Sequence, residues 1–261
     1  MRVFATLLMG LLANSPGHAA DSASNTVGIP PYISAAVADR DRPTTDRVRD
    51  PNQRPADVLA FVGVKPGDRV ADFWPAPPYS TRLLSRVVGP RGHVYAILPE
   101  KFVRDVPSAE AAVRNSLAKY PNTTLLTQPF DRFAVPEPLD LVYLGKIYHD
   151  FPNLAEMGPI DIAELNRAVF RALKPGGAYV IVDHAATPGS GYLDTEPNMA
   201  KRLHRIDPLT VKRQVEAAGF VLAAESRLLA NPNDPHTKSV FDPSIRERTD
   251  RFILKFQKPK G

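Results

Sequence analysis

"RALKPGGAYVIVDH" (Arg171–His184) joins two kinds of periodicity within fourteen residues. Its first residues close "DIAELNRAVFRAL" (Asp161–Leu173), whose apolar residues recur every three to four positions, the spacing of an amphipathic helix. "KPGG" (Lys174–Gly177) stops that helix, because proline cannot extend it and glycine supplies the turn. "AYVIVDH" (Ala178–His184) is dense in β-branched residues and reads as a strand. Helix, glycine turn and apolar strand in that order are the repeating unit of an α/β fold.

The same unit recurs upstream. "RVADFW" (Arg69–Trp74), "HVYAILP" (His93–Pro99), "TTLLTQ" (Thr123–Gln128) and "LDLVYLG" (Leu139–Gly145) read as strands. Between them lie helical segments at Ser80–Gly89 and at Ser108–Tyr120, the latter with Ser108 as its expected N-cap. Downstream, Asp207 caps an expected helix at Pro208–Phe220, and "FVLAAESRLL" and "DRFILKFQK" supply two late strands. No helix fits in the long loop between these last two, so one of them joins the sheet antiparallel. The expected fold is therefore a mostly parallel seven-stranded sheet with one antiparallel strand and helices on both faces.

Composition allows one sizeable core: 261 residues, 43% hydrophobic and 23% charged. Proline is abundant, at 27 residues, and sits between apolar runs, which predicts rigid loops. The net charge of +5 is scattered among acids, so the chain lacks the basic patch of a nucleic-acid binder. Met1–Arg2, the apolar run Val3–Ala13 and the small residues through Ala20 have the layout of a secretory signal peptide. The run is too short to span a bilayer. With no cysteine there is neither a lipid attachment site nor a disulfide. The expected organisation is a signal peptide over 1–20, a partly helical N-terminal arm over 21–55 and one domain over 56–261. The first of these implies an exported, periplasmic address, with no stable membrane anchor after cleavage.

Three stretches together resemble class I S-adenosylmethionine (SAM)-dependent methyltransferases: "RALKPGGAYVIVD", "VEAAGF" (Val215–Phe220) and "LDLVYLGKIYHDF" (Leu139–Phe151). Their order and spacing carry the resemblance over roughly Ala56–Pro259. "YHDF", "VDHAATPGSG" and "HRIDP", with the signal peptide, are more narrowly similar to predicted exported bacterial methyltransferases. The resemblance implies a Rossmann-like fold, SAM as cofactor and a small-molecule substrate.

It also implies where SAM would lie, and there the chain departs from the pattern. The family's first motif, D-x-G-x-G-x-G, aligns on Asp72 and puts Trp74, Ala76 and Pro78 at the glycine positions. Glycine lets the backbone approach a ligand closely, and prolines at 75, 77 and 78 remove N–H donors. The exported group keeps Pro-Gly-Gly-Gly-Tyr here, of which this chain retains Pro75 and Tyr79. The acid that ends the second strand in the family is Leu98 here, with Glu100 two residues on. Asp131 falls near the position of an adenine-side acid. The cofactor candidates are thus Asp72, Trp74, Ala76, Tyr79, Glu100 and Asp131.

On the other side of the crevice, Tyr148, His149 and Asp150 follow the fourth strand, and Asp183 and His184 end the fifth. Ligands in open α/β sheets bind at the carboxyl ends of strands. Histidine oriented by a carboxylate can act as a general base, and either His184–Asp150 or His149–Asp183 could form that pair. His149, Asp150 and His184 are the catalytic candidates. Two readings follow: an exported SAM-dependent methyltransferase with an altered motif, or a SAM-independent periplasmic protein of the same fold that binds another ligand, or a metal through His149, His184 and His204 with Asp150 or Asp183.

Overall fold

The computed structural model describes residues 28–153, 160–191, 193–196, 198 and 201–261. The expected signal peptide and the first residues of the arm lie outside them. Seven strands form one sheet in the order β3-β2-β1-β4-β5-β7-β6. They are β1 (Arg69–Phe73), β2 (His93–Pro99), β3 (Thr123–Gln128), β4 (Leu139–Gly145), β5 (Leu173–His184), β6 (Val221–Ser226) and β7 (Arg251–Gln257). The first five pair in parallel, and β7 runs antiparallel to both β5 and β6. The single antiparallel strand expected from the missing crossover helix is therefore β7.

Strand side chains alternate between two cores. In β5, Tyr179 and Ile181 join one cluster with Phe73, Leu144, Leu165 and Val169. Val180 and Val182 join the opposite one with Ile33, Leu59, Leu83 and Leu84. Both faces are covered, which is why β5 reads as a continuous apolar run rather than an alternating one.

The "KPGG" stretch behaves differently from a free turn. Helix α8 (Ile162–Ala172) passes directly into β5, which already pairs at Leu173 with Leu139. The register then jumps, so that Ala178 pairs with Leu141 and the intervening residues loop out of the ladder. Gly176 takes φ of 80° and donates its N–H to Lys258 O at 2.9 Å. A β-carbon there would be strained by that φ.

The remaining helices are α1 (Pro31–Val37), α2 (Thr44–Arg47), α3 (Asp50–Gln53), α4 (Pro55–Val62), α5 (Tyr79–Val88), α6 (Glu100–Asp105), α7 (Pro107–Leu117) and α9 (Pro208–Glu216). Asp207 caps α9 as expected, accepting from Leu209 N at 2.9 Å. Ser108 does not cap α7, which begins one residue before it at Pro107 with Val106 in the cap position. Proline is favoured in the first turn because its missing N–H lacks an intrahelical partner anyway. Helix α6 was not expected, since "EKFVRD" is too short and too charged to show a period.

Residues 28–55 pack onto the sheet face. Ile33 and Ala36 of α1 are buried among α4 and α5 side chains. Arg82 of α5 forms a bidentate, fully buried pair with Asp46, at 2.7 and 2.6 Å. Arg42 clamps Asp50 with two bonds of 2.8 Å, and Tyr79 donates to Asp50 at 2.7 Å. No helix among the described residues is long and apolar enough to cross a membrane.

Candidate functional site

A cavity of about 570 Å³ opens at the carboxyl ends of β1, β4 and β5. The loop after β1, the segment after β4, the α2–α3 region and the loop before β7 wall it. Parallel strands end in loops at this edge, so side chains from distant parts of the chain meet there.

The histidines and aspartates converge as follows. A 3-10 turn after β4 (Tyr148–Asp150) presents His149 and Asp150, both buried. His149 Nδ1 lies 2.6 Å from Asp183 Oδ1, and Asp183 Oδ2 accepts His149 N–H at 2.9 Å. Asp183 Oδ1 also accepts His184 N–H at 2.7 Å. On the far side of the ring, His149 Nε2 is 3.2 Å from Asp150 Oδ2. Asp150 Oδ1 is 2.8 Å from His204 Nδ1. The His149–Asp183 pairing is thus formed. The alternative, His184–Asp150, is not: His184 Nδ1 lies 2.7 Å from Thr249 Oγ1 instead.

This arrangement divides the charges. Burial disfavours a proton on His149, but the Asp150 and Asp183 carboxylates outweigh it and push its pKa up to about 10. Burial would raise Asp150, yet charged His149 and the hydrogen bonds from His149 and His204 hold it below the usual carboxylate range. His184 goes the other way: burial, then the nearby His149 and Lys146 charges, keep it well below the ordinary histidine value. The two carboxylates thus favour the protonated form of His149, while burial and neighbouring positive charge favour the neutral form of His184.

A second polar group lines the same cavity and was not expected. Lys146, immediately after β4, takes φ of 63° and donates to Gln53 Oε1 at 3.1 Å. Arg251 donates to the same oxygen at 2.9 Å and to Asn52 O at 2.6 Å. Glu247 accepts from Gln53 and pairs with Arg49 at 3.2 Å. Burial, reinforced by the Arg49 and Arg251 charges, pulls the Lys146 pKa down to about 7. A signal for Arg251 was present in the topology. An antiparallel last strand starts at the edge where the parallel strands end, and Arg251 pairs in register with His184.

The cofactor candidates separate into two sets. Trp74, Ala76 and Tyr79 line the cavity. Asp72, Glu100 and Asp131 do not. Asp72 is buried and accepts from Ser80 Oγ at 2.8 Å and Thr81 Oγ1 at 2.6 Å, which ties the strand end to the first turn of α5. Glu100 opens α6 at the surface, and Asp131 sits beside Arg132 in a 3-10 turn after β3. Trp74 takes φ of 59°, and its ring packs on Phe102 of α6 with centroids 4.6 Å apart. It therefore bridges the ends of β1 and β2. Gly191, in the loop after β5, lies against the Arg205 carbonyl, where a β-carbon would meet that oxygen at 2.4 Å. Its role is close packing.

No protein-family profile matches the chain, and no curated protein does. Solved structures match over most of it. A SAM-dependent methyltransferase from Aquifex aeolicus superposes with a TM-score of 0.55 at 17% identity, covering 83% of this chain and 98% of that one. The glycopeptide N-methyltransferase MtfA, crystallised with sinefungin, gives 0.53 at 16%, covering 81% and 86%. The [4+2]-cyclase SpnF gives 0.55 at 13%, covering 83% and 81%. The chain has the class I methyltransferase fold. At these identities the likeness establishes architecture, and the site decides function.

Tested against SAM, the residues of this methyltransferase fold do not fit in the expected pose. The prolines at 75, 77 and 78 offer no N–H to a carboxylate. Trp74 puts a large ring, packed on Phe102, at the first glycine position, where the family's backbone approaches its ligand closely. Leu98, where a ribose-binding acid is expected, is fully buried in a cluster with Val113 and Leu117. Neither Glu100 nor Asp131 reaches the cavity.

Proposed function

We propose that this chain is an exported protein that takes a small polar molecule into the cavity without SAM and acts on it by acid–base chemistry. The observation that carries the reading is the Trp74–Phe102 contact, which holds a large ring at the first glycine position of the family's motif, beside a cavity that stays open. A cavity of this volume suits a ligand of metabolite size. Within its lining, Arg82 is matched by Asp46 and Arg49 by Glu247, while Lys146, Arg246 and Arg251 outnumber Asp150. A ligand bearing a carboxylate or phosphate suits that balance. Lys146, poised near neutrality at the end of β4, is the acid–base group, and His184, kept neutral in the same cavity wall, is a hydrogen-bonding partner for the bound molecule. His149 and Asp150 form the charged wall. Export rests on the reading of residues 1–20.

The competing reading is an exported SAM-dependent methyltransferase acting on a small molecule. It is favoured by Trp74, Ala76 and Tyr79, which do line the cavity from the first-motif positions. Calorimetry separates the two. SAM at millimolar concentration gives no binding heat if the proposal is right. Saturable one-to-one binding of SAM would reinstate the methyltransferase. A melting-temperature screen of small carboxylates and phosphate esters tests the positive half, and a series without any shift counts against it.

A further inference from the structure

We propose that His149, Asp150 and His204 form a binding site for a divalent first-row transition metal that opens onto the cavity. One ligand atom from each lies within 4.8 Å of the others. His149 Nε2 and Asp150 Oδ2 are 3.2 Å apart, and His204 Nδ1 and Asp150 Oδ1 are 2.8 Å apart. Bonds of about 2.0–2.2 Å at a tetrahedral ion place neighbouring ligand atoms roughly 3.3 Å from one another. The two histidines meet different oxygens of Asp150 at separations close to that spacing, and an ion entering between them takes the place of the proton that His149 Nε2 holds toward Asp150.

What surrounds them fits the same purpose. A metal-binding histidine commonly gives its other nitrogen to a carboxylate, which fixes the ring. Asp183 does this for His149 at 2.6 Å and is itself fully buried and held by two backbone N–H groups. His204 is held at φ of 54°, a conformation rare for a residue with a β-carbon, and its ring packs on Phe241 with centroids 4.9 Å apart. His149, Asp150 and His204 all line the cavity. Protein ligands on one side and a cavity on the other leave open positions for an oxygen donor on the bound molecule. Two imidazoles and one carboxylate suit zinc, iron, cobalt or manganese better than magnesium or calcium, which take oxygen ligands. The site stands whether or not the cavity takes SAM.

The test uses the purified protein after chelator treatment, with zinc chloride followed by calorimetry and cobalt chloride by visible absorption. One equivalent of zinc binds, and cobalt develops the ligand-field bands of a four- or five-coordinate site. His204→Gln and Asp183→Asn each weaken zinc binding at least tenfold. His236→Gln, whose ring pairs with Asp250 away from the cluster, leaves it unchanged. Thermal melts confirm that each variant folds; if His204→Gln does not, the cobalt spectrum of the unaltered protein decides. Absence of zinc heat and of cobalt bands overturns the proposal, as does zinc binding that His204→Gln leaves at full strength. Zinc binding without any small-molecule binding would refute the cavity reading alone.

Discussion

His149 and Asp183 join the carboxyl ends of two adjacent strands through a 2.6 Å contact between Nδ1 and Oδ1. Asp183 lies in β5, and His149 follows β4. The same carboxylate accepts the N–H groups of His149 and His184, so it gathers three donors in a fully buried position. Removing it strands all three. Asp183→Ala is expected to lower stability by about 3–5 kcal/mol, the cost of leaving a buried charge without its partner. Asp183→Asn keeps one oxygen, enough for His184 N–H and His149 Nδ1, though its amide group then faces the His149 N–H, and it costs less than alanine. Urea denaturation of the two variants measures the difference, and equal losses would mean that side-chain shape alone is at stake.

Asp72 predicts a pH dependence. Burial raises its pKa to about 6, against the bonds from Ser80 and Thr81. Because the folded value lies above the unfolded value of about 4, the contribution is fully present below that pH and is lost as pH rises through 6. The loss amounts to about 3 kcal/mol. Asp72→Asn removes the titrating group, so its stability changes less than the unaltered protein's between pH 4 and pH 7. Chemical denaturation at the two pH values checks this. Parallel curves for the two proteins would show that Asp72 is ionised at an ordinary pH.

How far the sequence disclosed this site follows from the kind of signal each residue carries. β2 and β4 have the limits expected of them because buried strands leave long apolar runs, and β3, half-buried at the sheet edge, because β-branched and apolar residues stand between turn residues. His149, Asp150, Asp183 and His184 were found together because each sits at a strand's carboxyl end, a place set by topology. Which histidine meets which aspartate was not legible. That choice depends on the 3-10 turn after β4, which has no period. Gln53, Lys146 and Glu247 were missed because they come from a short helix, a single post-strand residue and an irregular loop. Phe102 was missed with α6, so the partner that holds Trp74 could not be named.

A buried ion pair fastens the stretch between α1 and α4 to α5. Arg82 and Asp46 are both buried and bidentate, and Asp46 also lines the cavity. Asp46→Asn leaves the guanidinium uncompensated and is expected to cost about 3–5 kcal/mol. Replacing both by Met and Leu recovers much of that loss, since a buried pair often gains little over apolar residues of similar volume. Limited proteolysis adds a local readout. Asp46→Asn is cut within residues 28–55 before the rest of the chain, whereas the double variant resists. Uniform cleavage throughout would show that the segment is not separately held.

Trp74 is the sole tryptophan in the sequence, which makes it a reporter of its own site. Its ring packs on Phe102 and also lines the cavity, so a ligand entering there changes its emission, while one bound elsewhere does not. Trp74→Ala removes the stacked ring and is expected to cost about 2–3 kcal/mol, less than for a fully buried aromatic. That substitution alone does not create SAM binding. The prolines at 75, 77 and 78 still withhold their N–H groups, and Leu98 still stands in the core where a ribose-binding acid would be needed. Joint replacement of Trp74, Ala76 and Pro78 by glycine restores the backbone freedom of the motif but not that acid. Calorimetry of the triple variant is therefore expected to show SAM binding that is weak yet measurable, and none for Trp74→Ala. Tight binding by Trp74→Ala would mean that the ring alone had closed an otherwise competent pocket.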